Sequence, residues 1–306
     1  MEMTLPEIIS SFSSFLEPVP VPASVYASVY ASAVQSKPVK KPAVKAVLFD
    51  LYGTLFISEA GDISTAKTVT NQHIFSRALK LCGLTEAEII KKDNRNSIRD
   101  IFYRAIADRH AEEKKNGNKT PEVEIRDIWD ITLRQLGITA AKKKIEELAV
   151  VYESIANRTW PMPGLAETLS YIREKGLIMG IISNAQFYTE LLFEAYLGMT
   201  ASQLGFNPGI CYYSYESGIA KPGIGMFEKA SLWLEKEKNI SADEVLYIGN
   251  DMLNDIKTAF TAGMQTCLFA GDRRSLRLRE DNKEVSGIKP DYLITELCSL
   301  RAVLNL

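Results

Sequence analysis

Residues 46–55 read AVLFDLYGTL, and this stretch decides the fold. Its first four residues, Ala46 to Phe49, form an uninterrupted apolar run of the kind found in strands that are buried on both faces. Asp50 follows the run directly, and a turn containing Gly53 comes next. A carboxylate fixed at the end of a strand, beside a turn whose backbone amides bind anionic oxygens, suits covalent catalysis. The stretch therefore predicts a buried strand that ends in a candidate nucleophile.

Short apolar runs recur downstream and alternate with amphipathic segments. The predicted strands are 177–182, 244–248, 265–269 and 292–294. The predicted helices are 163–175, 187–196, 223–237, 252–262 and 294–304. Alternation of strand and helix is typical of an α/β protein with a Rossmann-like doubly wound parallel sheet. In such sheets ligands bind at the carboxyl ends of the strands.

The connection between the first two predicted strands is much longer than a crossover needs. It has helical periodicity and no convincing strand, which predicts an inserted all-helical cap domain lying over the strand ends. We place this cap at 58–157, with helices at 71–81, 95–115 and 123–136. The predicted catalytic core is then 45–57 together with 158–306. Residues 1–44 are predicted to be a tail or linker that carries a short amphipathic helix.

The composition limits the class of protein. Hydrophobic residues make up 46% and charged residues 24% of 306 positions, with a formal net charge of -2. These values argue against a disordered chain and against nucleic acid as a partner. No apolar run is long enough to span a bilayer, and the first residues lack a secretory signal pattern. We therefore expect a cytoplasmic protein with a small-molecule substrate and no membrane partner; the sequence leaves its oligomeric state open.

Three further polar clusters accompany the candidate nucleophile. Ser183 and Asn184 end the second strand and offer a hydroxyl and an amide to the oxygens of a phosphoryl or carboxyl group. Lys221, in GIAKPG, supplies a cation that can offset the charge of an aspartate and of an anionic substrate. Asp251 and Asp255, in YIGNDMLND, follow the third strand and offer the oxygen donors that Mg²⁺ requires. Together these clusters predict one hydrolytic site at the strand ends.

The segments FDLYGTLF, IISNA, GIAKPG and YIGNDMLND, in that order, resemble the four signature motifs of the haloacid dehalogenase superfamily. The resemblance extends over residues 45–295. It implies Asp50 as a nucleophile that forms a covalent aspartyl intermediate and Lys221 as the charge-stabilising cation. It implies Thr54 and Ser183 as ligands of the substrate's anionic group. It also implies Mg²⁺, held by Asp50, the carbonyl of Tyr52, Asp251 and Asp255.

Two positions depart from the phosphatases of this family. These enzymes usually carry a second aspartate two residues after the nucleophile as general acid and base, and Tyr52 stands there instead. Tyrosine at this position is similar to the dehalogenase branch. The acids of the fourth motif resemble the phosphatase version, although Asn250 occupies the position that is often the first acid. The metal ligand therefore stays open between Asn250 and Asp251.

The leading hypothesis is a Mg²⁺-dependent phosphatase acting on a small phosphorylated metabolite, because a metal-free dehalogenase has no evident need for acids facing the nucleophile. The alternative is a 2-haloacid dehalogenase, which needs a halide-binding cation from the cap; the candidates are Arg77, Arg95, Arg99 and Arg104. A third hypothesis is a non-catalytic regulator with the same fold. The presence of both Asp50 and Lys221 argues against it.

The basic run 272–279 either closes over a phosphorylated substrate or forms a solvated face.

Overall fold

The computed structural model describes residues 3–27, 41–60, 72–84 and 97–305. Its strands are β1 Ala46–Phe49, β2 Phe56–Ser58, β3 Thr159–Pro161, β4 Ile178–Ser183, β5 Phe206–Tyr213, β6 Val245–Gly249, β7 Gln265–Phe269 and β8 Tyr292–Ile294. Six of them form one sheet in the order β5-β4-β1-β6-β7-β8. All neighbours in this sheet are parallel, which confirms the predicted sheet.

The edge strand β5 was not predicted. Its sequence, FNPGICYY, contains a proline and a glycine, and only part of it is buried. Proline has no amide hydrogen to donate. It is tolerated in an edge strand because the missing donor can face the side that has no neighbouring strand. The same residues that make β5 acceptable at the edge remove the continuous apolar run by which the central strands are found.

Helices cover both faces of this sheet. The described α-helices are α1 Leu5–Phe12, α2 Gln72–Leu81, α3 Ile98–Lys115, α4 Ile125–Gln135, α5 Lys142–Ala156, α6 Leu165–Glu174, α7 Leu191–Leu197, α8 Ala201–Leu204, α9 Ser214–Ser217, α10 Gly225–Lys238, α11 Thr258–Thr261 and α12 Leu300–Val303. Alternate residues of β1 enter different apolar clusters, with Val47 and Phe49 in one and Ala46 and Leu48 in the other. Within the described ranges, no helix combines the length and the apolar character that crossing a membrane demands.

The predicted insert contains α2 to α5, which pack against one another. The predicted helices 71–81, 95–115 and 123–136 correspond to α2, α3 and α4, although positions 71 and 95 lie outside the described residues.

The expectation of no strand in this connection is wrong. The antiparallel pair β2 and β3 lies at the two ends of the insert. Each has three residues, too few for a period-two pattern to show. The domain boundaries themselves stay a prediction.

The N-terminal helix α1 docks where the insert meets the core. Thr4 and Glu7 form the predicted capping box. Ile8 and Ile9 are buried, and the helix packs against α5 of the insert and α7 of the core. The Ser10 hydroxyl also donates a hydrogen bond to the carbonyl of Ala195 at 2.7 Å. The amphipathic pattern of this segment therefore serves docking on its own chain.

We expect Ile9→Ala to lower the free energy of unfolding by about 2–4 kcal/mol, because truncating a buried isoleucine loses apolar burial and leaves a cavity. The matched control is Leu232→Ala, since Leu232 is 51% exposed. Urea unfolding of both variants measures the difference. Equal, small effects in the two variants would show that α1 does not contribute to the stability of the folded chain.

Candidate active site

Three adjacent strands bring the predicted residues together. β4, β1 and β6 are neighbours in the sheet, so their carboxyl ends meet at the same edge. Asp50 directly follows β1, Ser183 is the last residue of β4, and Asn250 directly follows β6. The strand order therefore brings these side chains together at one edge of the sheet.

Asp50 is held by one carboxylate oxygen. Its Oδ1 accepts hydrogen bonds from the Ser183 hydroxyl and from Nζ of Lys221, each at 2.8 Å. None of the hydrogen bonds of the described residues reaches Oδ2, and Asp50 lines a cavity. This arrangement fixes the carboxylate and leaves one oxygen for attack on a bound substrate.

Lys221 joins two carboxylates inside the protein. Its Nζ lies 2.6 Å from Oδ1 of Asp255 as well as 2.8 Å from Asp50. The same nitrogen bonds to the Tyr247 hydroxyl at 3.0 Å and to the carbonyl of Ile182 at 3.2 Å. Burial by itself lowers the pKa of this lysine, but the charges of Asp255 and Asp50 outweigh burial and raise it. The lysine therefore remains positively charged at neutral pH.

Asn184 holds the backbone of Lys221. Its amide oxygen accepts from the Lys221 N–H at 2.7 Å, and its amide nitrogen donates to the Lys221 carbonyl at 3.1 Å. Asn184 also lines the cavity. Both ends of its amide are thus engaged in placing the lysine, and its predicted contact with substrate stays a prediction.

The two predicted hydroxyl ligands lie behind the cavity wall. Thr54 is fully buried and donates to the side-chain oxygen of Asn250 at 3.2 Å. Ser183 is fully buried and donates to Asp50. Neither residue lines the cavity. The structure gives each of them a positioning contact, and their predicted substrate binding stays a prediction.

Tyr52 lines the cavity beside Asp50. Its hydroxyl accepts a hydrogen bond from Thr189 at 3.2 Å. Burial, followed by the charge of Glu153, raises the pKa of Tyr52 well above its ordinary value. The tyrosine is therefore protonated at neutral pH and is a poor base for activating water.

The carboxylate of Asp255 is fully used by donors of the protein. Oδ1 accepts from Lys221 and from the Tyr247 hydroxyl, the latter at 3.1 Å. Oδ2 accepts from the backbone N–H groups of Asn250 and Asp251 at 3.0 and 2.9 Å. Complete burial raises the pKa of Asp255 to about 7 against the opposing charge of Lys221. Asp255 therefore serves to orient the lysine and the turn after β6.

Asp251 is held from two sides. It caps the following π-helix, Met252–Lys257, by accepting from the N–H groups of Leu253 and Asn254 at 2.8 and 3.2 Å. Arg279 bonds to both oxygens of the same carboxylate, with its shortest contact at 2.6 Å. A bidentate arginine neutralises the carboxylate that a metal would otherwise bind.

The donors present do not fit the predicted Mg²⁺ site. Asp251 and Asp255 are each neutralised by a cation of the protein. The amide of Asn250 is also engaged, since it accepts from Thr54 and donates to the carbonyl of Ser275 at 2.6 Å. In the ranges that the structure covers, no three His, Cys, Asp or Glu side chains are grouped to hold a metal ion.

Two glycines allow this dense packing. A Cβ atom on Gly249 would lie 2.3 Å from Cγ of Asp255, and one on Gly53 would lie 2.4 Å from Cβ of Ser275. Gly53 also has a φ of 79°, a backbone conformation that glycine adopts without cost. Glycine is therefore required at both motif positions for the strand ends to close around the carboxylates.

The cavity above Asp50 has a volume of about 320 Å³. Much of its wall comes from the insert and is apolar or aromatic; this part consists of Phe102, Tyr103, Ile106, Val123, Ile125, Tyr152 and Ala156. Two carboxyl groups of the insert also line it, Glu122 and Glu153, and burial raises the pKa of both. Sequence reasoning missed these residues because no local pattern tells which face of an inserted helix turns toward the core.

Side-chain bonds hold the insert over the strand ends. Gln186, just after β4, donates to the Val123 carbonyl at 2.8 Å and accepts from the Ile125 N–H at 3.0 Å. The Ser214 hydroxyl donates to Glu122 at 2.9 Å. These bonds connect the residues that follow the neighbouring strands β4 and β5 to the start of α4, so the insert covers the cavity.

The cap arginines proposed for halide binding are not in the cavity wall. Of the candidates inside the described ranges, Arg77, Arg99 and Arg104 do not line it. Arg95 lies outside the described residues. The basic run 272–279 does reach the site, through Ser275 and Arg277 in the wall and through Arg279 on Asp251.

Comparison with known proteins places these features in context. Residues 44–263 match a family described as haloacid dehalogenase-like hydrolase. The chain is 23% identical over 247 residues to a glyceraldehyde 3-phosphate phosphatase of Methanopyrus kandleri, covering 78% of this chain and 90% of that protein. A 2-haloacid dehalogenase of Pseudomonas syringae superposes with a TM-score of 0.53 at 19% identity, covering 86% of this chain and 98% of that one. A HAD phosphatase of Thermococcus onnurineus has a TM-score of 0.48 at 18% identity, with coverages of 85% and 98%.

We expect Lys221→Met to lower the free energy of unfolding by about 3–5 kcal/mol, because it leaves two buried carboxylates without their shared cation. Burial already raises the pKa of Asp255 to about 7 against the charge of Lys221, so loss of the lysine should raise this folded pKa further and leave the carboxylate protonated in the folded state. A raised folded pKa stabilises at low pH and loses that contribution as the pH rises. The loss relative to wild type should therefore be larger at pH 8 than at pH 5.

Urea unfolding at the two pH values measures this effect. The matched control is Lys257→Met, because Lys257 pairs with Glu284 at the protein surface, where removing an ion pair costs about 1 kcal/mol or less. A Lys221→Met loss as small as that of the control would contradict the central role assigned to this ion pair.

Proposed function

Because the chain belongs to the haloacid dehalogenase-like hydrolases, we propose that it hydrolyses a small phosphorylated metabolite through a covalent intermediate on Asp50. The observation that carries the proposal is the geometry of this aspartate. Lys221 and Ser183 hold its Oδ1 at 2.8 Å, and the carboxylate lines a cavity of about 320 Å³. A fixed carboxylate with one oxygen free of hydrogen bonds, in the wall of a cavity, suits nucleophilic catalysis.

The proposed reaction has two steps. In the first, Oδ2 of Asp50 forms a bond to phosphorus while the ester bond to the leaving oxygen breaks, and the leaving group takes a proton from water, which leaves hydroxide. In the second, water attacks the phosphorus of the aspartyl-phosphate and the bond between Oδ2 and phosphorus breaks. This step releases inorganic phosphate, restores the carboxylate and frees a proton that neutralises the hydroxide. Lys221 stays bound to Oδ1 throughout and offsets the negative charge that gathers at the site.

Two facts favour phosphate esters over 2-haloacids as substrates. The curated relative from Methanopyrus kandleri is a glyceraldehyde 3-phosphate phosphatase that aligns over most of both chains. In addition, the cap arginines proposed for halide binding do not line the cavity where they are described. Haloacid dehalogenation remains the second candidate because Tyr52 replaces the usual general acid of the phosphatases.

Mg²⁺ is the cofactor predicted from the sequence, and the donors as placed do not provide the predicted site. The proposed steps therefore use only groups of the chain. Mg²⁺ binds proteins through one or two carboxylates together with substrate phosphates and waters. An assay of phosphate release with Mg²⁺ and with excess chelator decides whether turnover needs the ion.

The cavity wall also bears on the substrate. Phe102, Tyr103, Ile106 and Tyr152 line the cavity and offer apolar surface to the part of the substrate that lies beyond the phosphoryl group. Tyr52 donates a proton less readily than a carboxylic acid does. We propose that the preferred substrates carry an apolar group and release a good leaving group, as aryl and acyl phosphates do.

We expect Asp50→Asn to reduce phosphate release to background, because an amide does not attack phosphorus as a carboxylate does. The measurement is the initial rate of phosphate and chloride release over a panel of phosphorylated metabolites and 2-chloropropionate. A thermal melt of the variant serves as the folding control. A folded variant with near wild-type rates would exclude Asp50 as nucleophile, and chloride release without any phosphate release by wild type would establish the dehalogenase instead.

We expect Tyr52→Asp to raise the rate on alkyl phosphates by at least about tenfold, since a positioned general acid is typically worth about 10²–10⁴-fold. Aryl phosphates should gain much less, because their leaving groups need little protonation. Chloride release from 2-chloropropionate should not increase. Steady-state rates of both proteins on the three substrates test this, and equal gains on aryl and alkyl phosphates would argue against a missing general acid.

A further inference from the structure

The basic run 272–279 contains four arginines that the structure separates into different roles. Arg273 is exposed, and Arg274 pairs with Asp272 at 2.9 Å. Arg279 pairs with Asp251. Arg277 lines the active-site cavity, and no carboxylate of the described residues lies within ion-pair distance of it. Its described side-chain bonds, at 2.7 and 3.1 Å, go to backbone carbonyls of its own loop.

Backbone bonds fix this loop beside the fourth motif. The N–H of Arg277 donates to the carbonyl of Asn250 at 2.9 Å, and its carbonyl accepts from the N–H of Met252 at 2.8 Å. On the far side of Arg277, the bidentate pair between Arg279 and Asp251 anchors the loop again. Arg279 has a φ of 55°, an unusual value for a residue with a side chain, of the kind that surrounding contacts must stabilise. Arg277 is therefore held at the cavity by contacts on both sides.

The charges in the cavity wall leave an anionic substrate in need of another cation. Of the aspartates that line the cavity, Asp251 is paired with Arg279, whereas Asp50 and Asp255 have one cation between them. Lys221 is already shared between Asp50 and Asp255. Of the described wall residues, only Lys221 and Arg277 carry a permanent positive charge. A guanidinium matches the geometry of phosphate oxygens and binds them through two parallel hydrogen bonds.

We propose that Arg277 binds the anionic oxygens of the substrate, with Arg279 as the residue that positions its loop. The phosphoryl group named as substrate here rests on the proposed function, whereas binding of inorganic phosphate by the free protein does not require turnover. Arg277 thus adds a charged contact to the anion binding predicted for Thr54 and Ser183, whose hydroxyls bond to Asn250 and Asp50.

The test is the dissociation constant of inorganic phosphate, measured by titration calorimetry on the full chain. Arg277→Gln removes the charge and keeps a donor for the backbone carbonyls of the loop, and we expect it to raise the constant by about 10–100-fold. Arg277→Lys should recover part of the loss, because a lysine keeps the charge and lacks the planar fork. The matched control, Arg273→Ala, removes one charge from an exposed position of the same loop and should leave the constant within about twofold.

Steady-state kinetics on the best phosphate ester give the second readout. Loss of a contact made equally in ground state and transition state raises KM with little change in kcat, and we expect this for Arg277→Gln. A folded Arg277→Gln protein with wild-type phosphate affinity and KM would overturn the proposal. Equal weakening by Arg273→Ala would also overturn it, since a general charge effect would then explain the result.

The two proposals fail in different ways. If wild type binds phosphate through Arg277 but hydrolyses no phosphate ester, the proposed function is wrong and the anion site stands. If wild type hydrolyses phosphate esters and Arg277→Gln retains its KM, the function stands and the anion site is wrong.

Discussion

The buried ammonium group of Lys221 lies between two carboxylates that would repel each other without it. It is 2.8 Å from Asp50 and 2.6 Å from Asp255. Burial raises the pKa of Asp255 to about 7 even with the lysine beside it. The positive charge of the lysine therefore offsets the charges of both carboxylates, and its bonds with Tyr247, Ile182 and Asn184 hold it in place.

This ion cluster requires the strand order of the sheet. Asp50 follows β1, Asp255 lies just beyond β6, and the carbonyl that binds Lys221 belongs to β4. β1 is the middle strand of these three, so the nucleophile has partners on both sides. Gly249 lets the carboxylate of Asp255 approach the end of β6. Fold and chemistry are thus linked through the termini of three neighbouring strands.

Two parts of the chain complete the site from outside the sheet. Gln186 and Ser214 bond to the start of the insert and hold an apolar wall above Asp50. The loop 272–279 lines the cavity through Ser275 and Arg277 and bonds to the turn after β6. The N-terminal segment also contacts this loop, since the Val19 carbonyl accepts from the N–H of Arg273. The insert and the loop 272–279, which are distant in sequence, therefore both line the cavity.

The sequence by itself determined the central strands and the positions of Asp50, Lys221 and Asp255, because buried strands are continuous apolar runs and parallel strands end at one edge. It did not determine which partner each polar group chooses. Asp251 looked like a metal ligand, but Arg279, 28 positions away, pairs with it. Ser183 and Thr54 looked like substrate ligands, but each bonds to another site residue. Nor did the sequence show which residues of the insert line the cavity. Local patterns report burial and strand ends, whereas the pairing of charges and the facing of inserted helices arise from contacts between segments far apart in the chain, which only the tertiary structure brings together.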